Sequence, residues 1–175
     1  MAAIPSPPAT DAMAATPDSP ATAPDDEPRV ELERFLPYRI SVLSLAVSQS
    51  IARLYSERFG ISIPEWRAIA VLGNYQPLTA NEICERTSMD KVQVSRAVGR
   101  LVGAGLLLRQ TDRNDRRRAN LRLSARGLRI YRDIVPLAKA CEARLLSALT
   151  PAEQSELDRL LHKLQARARD LCGEA

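Results

Sequence analysis

The chain has 175 residues, of which 26% are charged, and a formal net charge of +4; this length suits a single domain with a substantial hydrophobic core. No apolar run reaches the roughly eighteen residues of a membrane-spanning helix, and the first residues lack the basic and apolar segments of a secretory signal. Three scattered cysteines, an odd number, are typical of a reducing compartment. We therefore expect a cytoplasmic protein without membrane partners.

The charge is distributed unevenly between the first 28 residues and the rest. Residues 1–28 contain five acidic residues, seven prolines and eight alanines but no lysine or arginine. Such a segment has too little large apolar surface to fold, so we predict a disordered acidic tail. The remaining residues carry a formal charge of +9, which favours a polyanionic partner such as a nucleic acid.

A long amphipathic helix is predicted directly after this tail. Between residues 31 and 58, large apolar residues recur at steps of three and four, which is the period of an α-helix. Pro37 suits the first turn of this helix, and Gly60 suits its end. Because further apolar residues widen the stripe, we expect the helix to meet several neighbours, another subunit among them.

Two shorter helices follow in the sequence. The first is predicted over residues 63–72, with a proline in its first turn, and a loop is predicted over residues 73–77. Thr79 and Glu82 form a capping-box pattern for the second, over residues 80–86. A short polar turn then leads to the next predicted helix, which is the arrangement of a helix-turn-helix.

That next helix, residues 90–102, has one apolar and one polar face. Val94, Val98 and Leu101 share the apolar face, and Asp90 suits the N-cap position. The opposite face carries Lys91, Val92, Gln93, Ser95, Arg96 and Arg100.

The chemistry of this polar face suits the major groove of DNA. Arginine can pair with guanine, glutamine with adenine, and a small apolar group with the methyl of thymine. We expect Gln93, Ser95 and Arg96 to touch base edges. The other two cations, Lys91 and Arg100, should hold phosphates.

A basic β-hairpin is predicted after this helix. Residues 103–105 break the helix, and residues 106–110 and 119–123 read as two short strands around a polar turn. The turn holds Arg113, Arg116, Arg117 and Arg118 against Asp112 and Asp115. A basic hairpin beside a DNA-reading helix is typical of a winged helix-turn-helix, whose wing reaches the minor groove or the DNA backbone.

Two helices are predicted at the C-terminal end. Ser124 is a suitable cap for the first, in which Pro136 should introduce a kink, and Thr150 with Glu153 caps the second. Both helices are richer in leucine than a small winged domain requires. We interpret them, together with the first long helix, as a dimerisation region; the alternative is a larger core within one chain.

The stretch over residues 89–127 closely resembles the DNA-binding core of MarR-type transcriptional regulators. The wing pattern of that family is an aspartate two residues before an arginine, followed by a strand that ends Leu-(Ser/Thr)-x-x-Gly. Here it is present as Asp115, Arg117 and the run Leu123-Ser124-Ala125-Arg126-Gly127. The resemblance extends over residues 36–171.

The resemblance implies a mainly α-helical protein with a small β-hairpin wing. Residues 61–123 would form the winged helix-turn-helix domain, and residues 29–60 and 124–175 a helical dimerisation region. A two-fold homodimer would place two recognition helices about one turn of double-stranded DNA apart, on a pseudo-palindromic operator. One departure from the family is Gly99 within the recognition helix, where glycine costs about 1 kcal/mol relative to alanine.

The family pattern also implies different roles for the charged residues of the wing. Asp115 would brace Arg117, and Arg117 would enter the minor groove, where a narrow A·T-rich segment has an enhanced negative potential. Because side chains alternate along a pleated hairpin, Arg116 and Arg118 would meet phosphates or solvent.

A pocket for a small organic effector is implied between the dimerisation region and the winged domain. Its lining would be Tyr38, Arg39 and Val42 from the first helix with Trp66 and Arg67 from the second. Trp66 could stack on an aromatic acid and an arginine could bind its carboxylate; the alternative is that Trp66 anchors the core. The first helices look like those of a subset that responds to hydroxycinnamoyl-CoA thioesters or related aromatic acids. The expected function is a repressor that such an effector releases from its operator.

Other classes of function have less support. The sequence has no glycine-rich phosphate loop and no nucleophile elbow, and His162 has no cysteines at metal-binding spacing. We therefore expect no enzyme activity, no cofactor and no metal site. The alternative within sensing is an oxidant-sensing regulator that acts through cysteine. The first helix has no cysteine, and Cys84, Cys141 and Cys172 are more simply interpreted as small packing residues.

Overall fold

The computed structural model describes residues 29–111 and 119–173. The predicted acidic tail and the arginine-rich turn of the wing therefore lie outside the described residues. The elements are α1 (Leu36–Phe59), α2 (Ile63–Tyr75), α3 (Ala80–Thr87), α4 (Lys91–Gly103), β1 (Leu107–Thr111), β2 (Ala119–Leu123), α5 (Ala125–Leu146) and α6 (Pro151–Gly173). A mainly helical fold with one small antiparallel hairpin confirms the predicted fold class. None of the described helices combines the length and the apolar character needed to cross a membrane.

Both ends of α1 follow from the residues found there. A proline occupies its first turn, where the missing N–H has no intrahelical partner to lose. At the other end, Gly60 has a φ of 65°, in the left-handed region that glycine adopts readily. Its N–H donates to the carbonyl of Ser56 at 2.8 Å and closes the helix. The predicted start and end of this helix are confirmed.

The second helix is longer than predicted. It continues to Tyr75, so the first three residues of the predicted loop are helical and that boundary was wrong. Gly73 lies inside the helix. The position requires glycine, because a β-carbon there would overlap the ring of Tyr131 on α5. Glycine here allows close packing and does not end the helix. The end comes at Gln76, whose side-chain oxygen accepts the N–H of Leu123 at 2.7 Å.

The predicted helix-turn-helix is formed by α3 and α4. The Glu82 carboxylate accepts the N–H of Thr79 at 2.7 Å, and the Thr79 hydroxyl accepts the N–H of Glu82, which closes the capping box. Ser88 takes a left-handed conformation in the turn, with a φ of 53°. Asp90 then caps α4 by accepting the N–H of Gln93 at 2.7 Å.

The wing is anchored in the core through its base. β1 and β2 pair antiparallel with Leu107 opposite Leu123. Leu121 also pairs with Leu78, from the segment before α3, through backbone hydrogen bonds of 2.8 and 3.2 Å. Each of these four leucines is at most 8% exposed, so the hairpin is fixed relative to α4. β1 starts one residue later than predicted, whereas β2 has the predicted bounds.

The buried core joins the winged helix-turn-helix to the second half of α1 and the first half of α5. Its largest fully buried side chains are Tyr55, Ile69, Leu72, Ile83, Leu101, Ile134 and Val94. Ring contacts tie three helices together, since the Trp66 ring on α2 lies 5.7 Å from that of Tyr55 on α1 and 6.3 Å from that of Tyr131 on α5, centroid to centroid. Burial raises the pKa of Tyr55 to about 12.

The last two helices begin at their predicted caps. The Ser124 hydroxyl accepts the N–H of Gly127 at 3.0 Å. Thr150 donates its N–H and its hydroxyl to the carboxylate of Glu153, which lowers the pKa of that carboxyl. The leucines of α6 are exposed within one chain, because no described element covers them. Their exposed fractions run from 38% to 54%, for Leu157, Leu160, Leu161, Leu164 and Leu171.

Candidate nucleic-acid interface

The outward face of α4 carries the residues predicted to read DNA. Lys91, Val92, Gln93, Ser95, Arg96 and Arg100 are all exposed. The inner face holds the helix in place, because Val94 and Ala97 are fully buried and Leu101 is 2% exposed. In a helix-turn-helix the N-terminal residues of this helix contact base edges. The geometry fits that role, and the individual base contacts stay predictions.

Arg100 differs from the other cations of this face. Its Nε lies 2.9 Å from Oε1 of Glu65 on α2. Glu65 is 7% exposed and is the one buried charged residue in the described part of the chain. Its Oε2 accepts the N–H of Ser62 at 2.7 Å and the Ser62 hydroxyl at 2.6 Å. The sequence analysis missed Glu65: the spacing of its capping box is visible in the sequence, but its pairing with a distant arginine is not.

The hairpin extends this surface beside α4. Five predicted contact residues of its turn lie outside the described residues: Arg113, Asp115, Arg116, Arg117 and Arg118. On the described strands, Arg109 and Arg122 are exposed, and the sequence analysis did not single them out. Arg109 pairs with Leu121 and Arg122 with Leu108, so the two arginines lie on opposite faces of the hairpin.

The residues predicted to line the effector pocket lie on α1 and α2. Tyr38 and Val42 on α1 are 44% and 49% exposed, and Arg39 between them is also exposed. On α2, Trp66 packs against the core, as the core-anchor alternative expects. Arg67 donates to the hydroxyl of Ser48 at 3.3 Å. Ser48 lies roughly 15 Å along α1 from Tyr38, and the lining of the pocket stays a prediction.

A cavity that the sequence analysis did not foresee lies between α1 and α5. Its volume is about 670 Å³, and its lining is mainly apolar, with Leu43 and Leu137 on facing helices. Arg53, Arg144 and Cys141 also line it. Helical periodicity identifies which residues of α1 are apolar, but it does not reveal which other helix they face.

The cysteines and acidic residues give no further site in the described ranges. Cys84 and Cys141 are free and half-buried. No group of three or more His, Cys, Asp or Glu side chains within residues 29–111 and 119–173 is arranged to hold a metal ion.

Comparison with known proteins finds similar sequences in one family of transcriptional regulators. Residues 59–118 match the sequence model of the MarR family. The HTH-type transcriptional repressor Rv2887 of Mycobacterium tuberculosis is 28% identical over 131 residues, which cover 74% of this chain and 91% of that protein. The matched residues include α2, α3, α4 and β1, which are the elements that build the interface described above.

Solved structures share the same arrangement of elements. The MarR/EmrR family transcriptional regulator from Acinetobacter sp. ADP1 has a TM-score of 0.74 and 26% identity, and the match covers 81% of this chain and 99% of that chain. The S. aureus MepR–DNA complex has a TM-score of 0.69 and 24% identity over 76% of this chain and 98% of that chain. Bordetella bronchiseptica BpsR, whose DNA binding is regulated by 6-hydroxynicotinic acid, has a TM-score of 0.69 and 18% identity over 79% and 98%.

The sequence match, the repressor relative and the shared fold agree with the DNA-reading face of α4. They also agree with the wing pattern seen in the sequence. Together they support a winged helix-turn-helix transcriptional regulator similar to those of the MarR family.

Proposed function

We propose that this protein is a homodimeric repressor that an aromatic acid, or its CoA thioester, releases from a pseudo-palindromic operator. The observation that carries the proposal is the pair of exposed apolar faces on α1 and α6, attached to a single DNA-reading unit. A monomer of this kind has apolar surface to cover and only one recognition helix with which to read DNA.

The apolar faces support assembly with a second copy. The first half of α1 exposes Leu36, Tyr38, Ile40, Val42, Leu43 and Leu45, each by 44% or more. Together with the leucines of α6, they form patches that a monomeric protein rarely leaves in water. A two-fold axis through these helices would bury both patches at once and separate the two α4 helices by about one turn of DNA. We take residues 29–60 and 124–175 as this dimerisation region, with residues 61–123 as the DNA-binding domain.

The nature of the effector is proposed from residue chemistry and from one relative. Arg39 on α1 is exposed, and Arg67 on α2 donates to Ser48 on α1. Each guanidinium would bind a carboxylate in a pocket that a partner chain closes. The regulation of BpsR by 6-hydroxynicotinic acid shows that this fold can respond to an aromatic acid. Such a ligand weakens DNA binding only if it binds the DNA-incompetent arrangement more tightly.

The test combines the assembly state with ligand-linked DNA binding. Sedimentation at micromolar concentration should give the mass of two chains. Hydroxycinnamic acids and their CoA thioesters, screened by thermal shift, should include a compound that raises Tm. That compound should weaken operator affinity about 5- to 150-fold, which corresponds to a coupling of 1–3 kcal/mol. A monomer, or a ligand that binds tightly and leaves operator affinity unchanged, would contradict the proposal.

The wing offers a test that separates a braced arginine from simple charge. Arg117→Ala should weaken operator binding more than Arg116→Ala or Arg118→Ala, because an arginine held within the minor groove gains from the focused negative potential there. Asp115→Ala should also weaken binding, although counting charges predicts the opposite sign. Binding isotherms at two salt concentrations distinguish the two outcomes. Tighter binding by Asp115→Ala, with the three arginine variants equivalent, would leave only a diffuse basic wing.

A further inference from the structure

The ion pair between α2 and the recognition helix joins a buried acid to an exposed base. Glu65 exposes 7% of its surface, whereas the side chain of Arg100 is 63% exposed. A buried carboxylate is costly unless its oxygens are satisfied by hydrogen bonds. Here both oxygens are occupied, one by the N–H and hydroxyl of Ser62 and the other by Nε of Arg100. Glu65 is therefore held in a single position.

The pairing leaves most of the guanidinium free. Glu65 contacts Arg100 through Nε alone, at 2.9 Å. The N–H groups of both terminal nitrogens therefore remain available to bind another partner. Among the described residues, no other ion-pair partner approaches Arg100. Arg100 lies on the outward face of α4 with Gln93 and Arg96, so its exposed side chain is accessible on the face predicted to meet DNA.

We infer that Glu65 is a positioning residue for DNA binding. It holds the side chain of Arg100, before DNA binds, in a conformation that can bind a backbone phosphate. The inference rests on the DNA-binding function of this face. An arginine side chain loses considerable rotamer freedom when it binds a fixed partner. Because the Nε–carboxylate bond already restrains that freedom, contact with a phosphate requires less further ordering. Glu65 would thus favour binding to a polyanion even though its own charge is negative.

The direction in which DNA affinity changes when Glu65 is removed distinguishes a positioning role from bulk electrostatics. Removal of a negative charge near DNA should tighten binding if only the total charge matters. If Glu65 positions Arg100, its removal should weaken binding. Glu65→Gln keeps the size of the side chain and an oxygen that can accept the N–H of Ser62. Its neutral amide cannot form the ion pair with Arg100.

The experiment measures binding of the full chain to a fluorescent duplex of mixed sequence over a range of salt concentrations. Glu65→Gln should weaken binding about threefold to tenfold, the size expected for one hydrogen bond. The magnitude of the salt slope should fall by about 0.9, the contribution of one phosphate contact. Glu85→Gln, the same charge change at an exposed carboxylate of α3, is the control and should bind as the wild type does or more tightly.

Two variants of Arg100 complete the test. Arg100→Ala should lower affinity and salt slope as Glu65→Gln does, and the double variant should lose little more, because the residues act as one unit. Arg100→Lys keeps the charge but cannot pair with Glu65 and a phosphate in the same forked geometry, so it should fall well below wild type. Equal or tighter binding by Glu65→Gln, or wild-type binding by Arg100→Lys, would overturn the inference.

A purely structural ion pair gives another pattern. Glu65→Gln and Arg100→Ala would then lower Tm but leave the salt slope of the folded protein unchanged, which also overturns the inference. These failures differ from a failure of the proposed ligand-released dimer, because that proposal is tested by sedimentation and by effectors with the wild-type chain.

Discussion

Arg96→Ala is expected to weaken operator binding by about 5- to 150-fold, or roughly 1–3 kcal/mol, and to relax preference at one operator position. Arg96 lies on the exposed face of α4, one turn after Gln93. In contrast to Arg100, it has no ion-pair partner among the described residues. Its whole guanidinium is therefore free to bind the O6 and N7 acceptors of a guanine, a contact whose loss costs this much against the wrong base.

The measurement compares operator DNA with scrambled DNA at one salt concentration. Arg96→Ala should lose much more affinity for the operator than for the scrambled duplex. Arg132→Ala, which removes the same charge from an exposed position on α5, is the control and should change both affinities little. Equal losses on the two duplexes would mean that Arg96 holds a phosphate and does not read a base.

The parts of the fold that could be predicted are those set by neighbours in the sequence. The cap of α4 requires only that Asp90 precede the N–H of Gln93 by three residues, and the capping box at Thr79 has the same local span. The end of α1 at Gly60 is local in the same sense. In each case the residues that decide the structure lie within one helical turn.

The corrections come from contacts between distant residues. The predicted loop begins at Gly73, but the structure keeps Gly73 within α2, where the ring of Tyr131 packs against it from another helix. Glu65 could be identified as a helix cap, yet its partner on α4 lies 35 positions further along the chain. The apolar period of α1 was visible in the sequence, but no described element covers its first half. Local sequence patterns indicate which face of a helix is apolar, but they do not indicate which element packs against that face.

Like the fold, the candidate site has one part that local sequence patterns predict and another part that depends on contacts between distant residues. The exposed face of α4 was predictable, because helical period and one buried side are enough to place Arg96 outward. The effector pocket was implied by resemblance alone, and it stays a prediction. Trp66 shows why: an aromatic residue on an amphipathic helix can anchor a core or line a pocket, and only its neighbours Tyr55 and Tyr131 distinguish these roles.

The junction between the wing and α5 leaves no room for a side chain at Gly127. A β-carbon there would overlap the carbonyl oxygen of Leu106, and that oxygen is already fixed by the N–H of Ser124 at 2.9 Å. The N–H of Gly127 is itself bound to the Ser124 hydroxyl at 3.0 Å. The wing pattern that ends in Leu-Ser-Ala-Arg-Gly therefore needs glycine for space, because the backbone of residues 124–127 lies directly against the backbone of Leu106.

Gly127→Ala is accordingly expected to lower the free energy of unfolding by about 2–3 kcal/mol, the upper part of the usual range for overpacking, because backbone and not a flexible side chain must move. For a chain of this size, that corresponds to a fall in Tm of roughly 4–12 °C. Gly99→Ala is the matched control: Gly99 lies in an exposed part of α4 with no atom within 4 Å of its β-carbon position. That change should stabilise the helix by about 0.5–1 kcal/mol. Thermal melts of both variants at equal protein concentration test the pair, and a Gly127→Ala protein that melts with the wild type would contradict the tight junction.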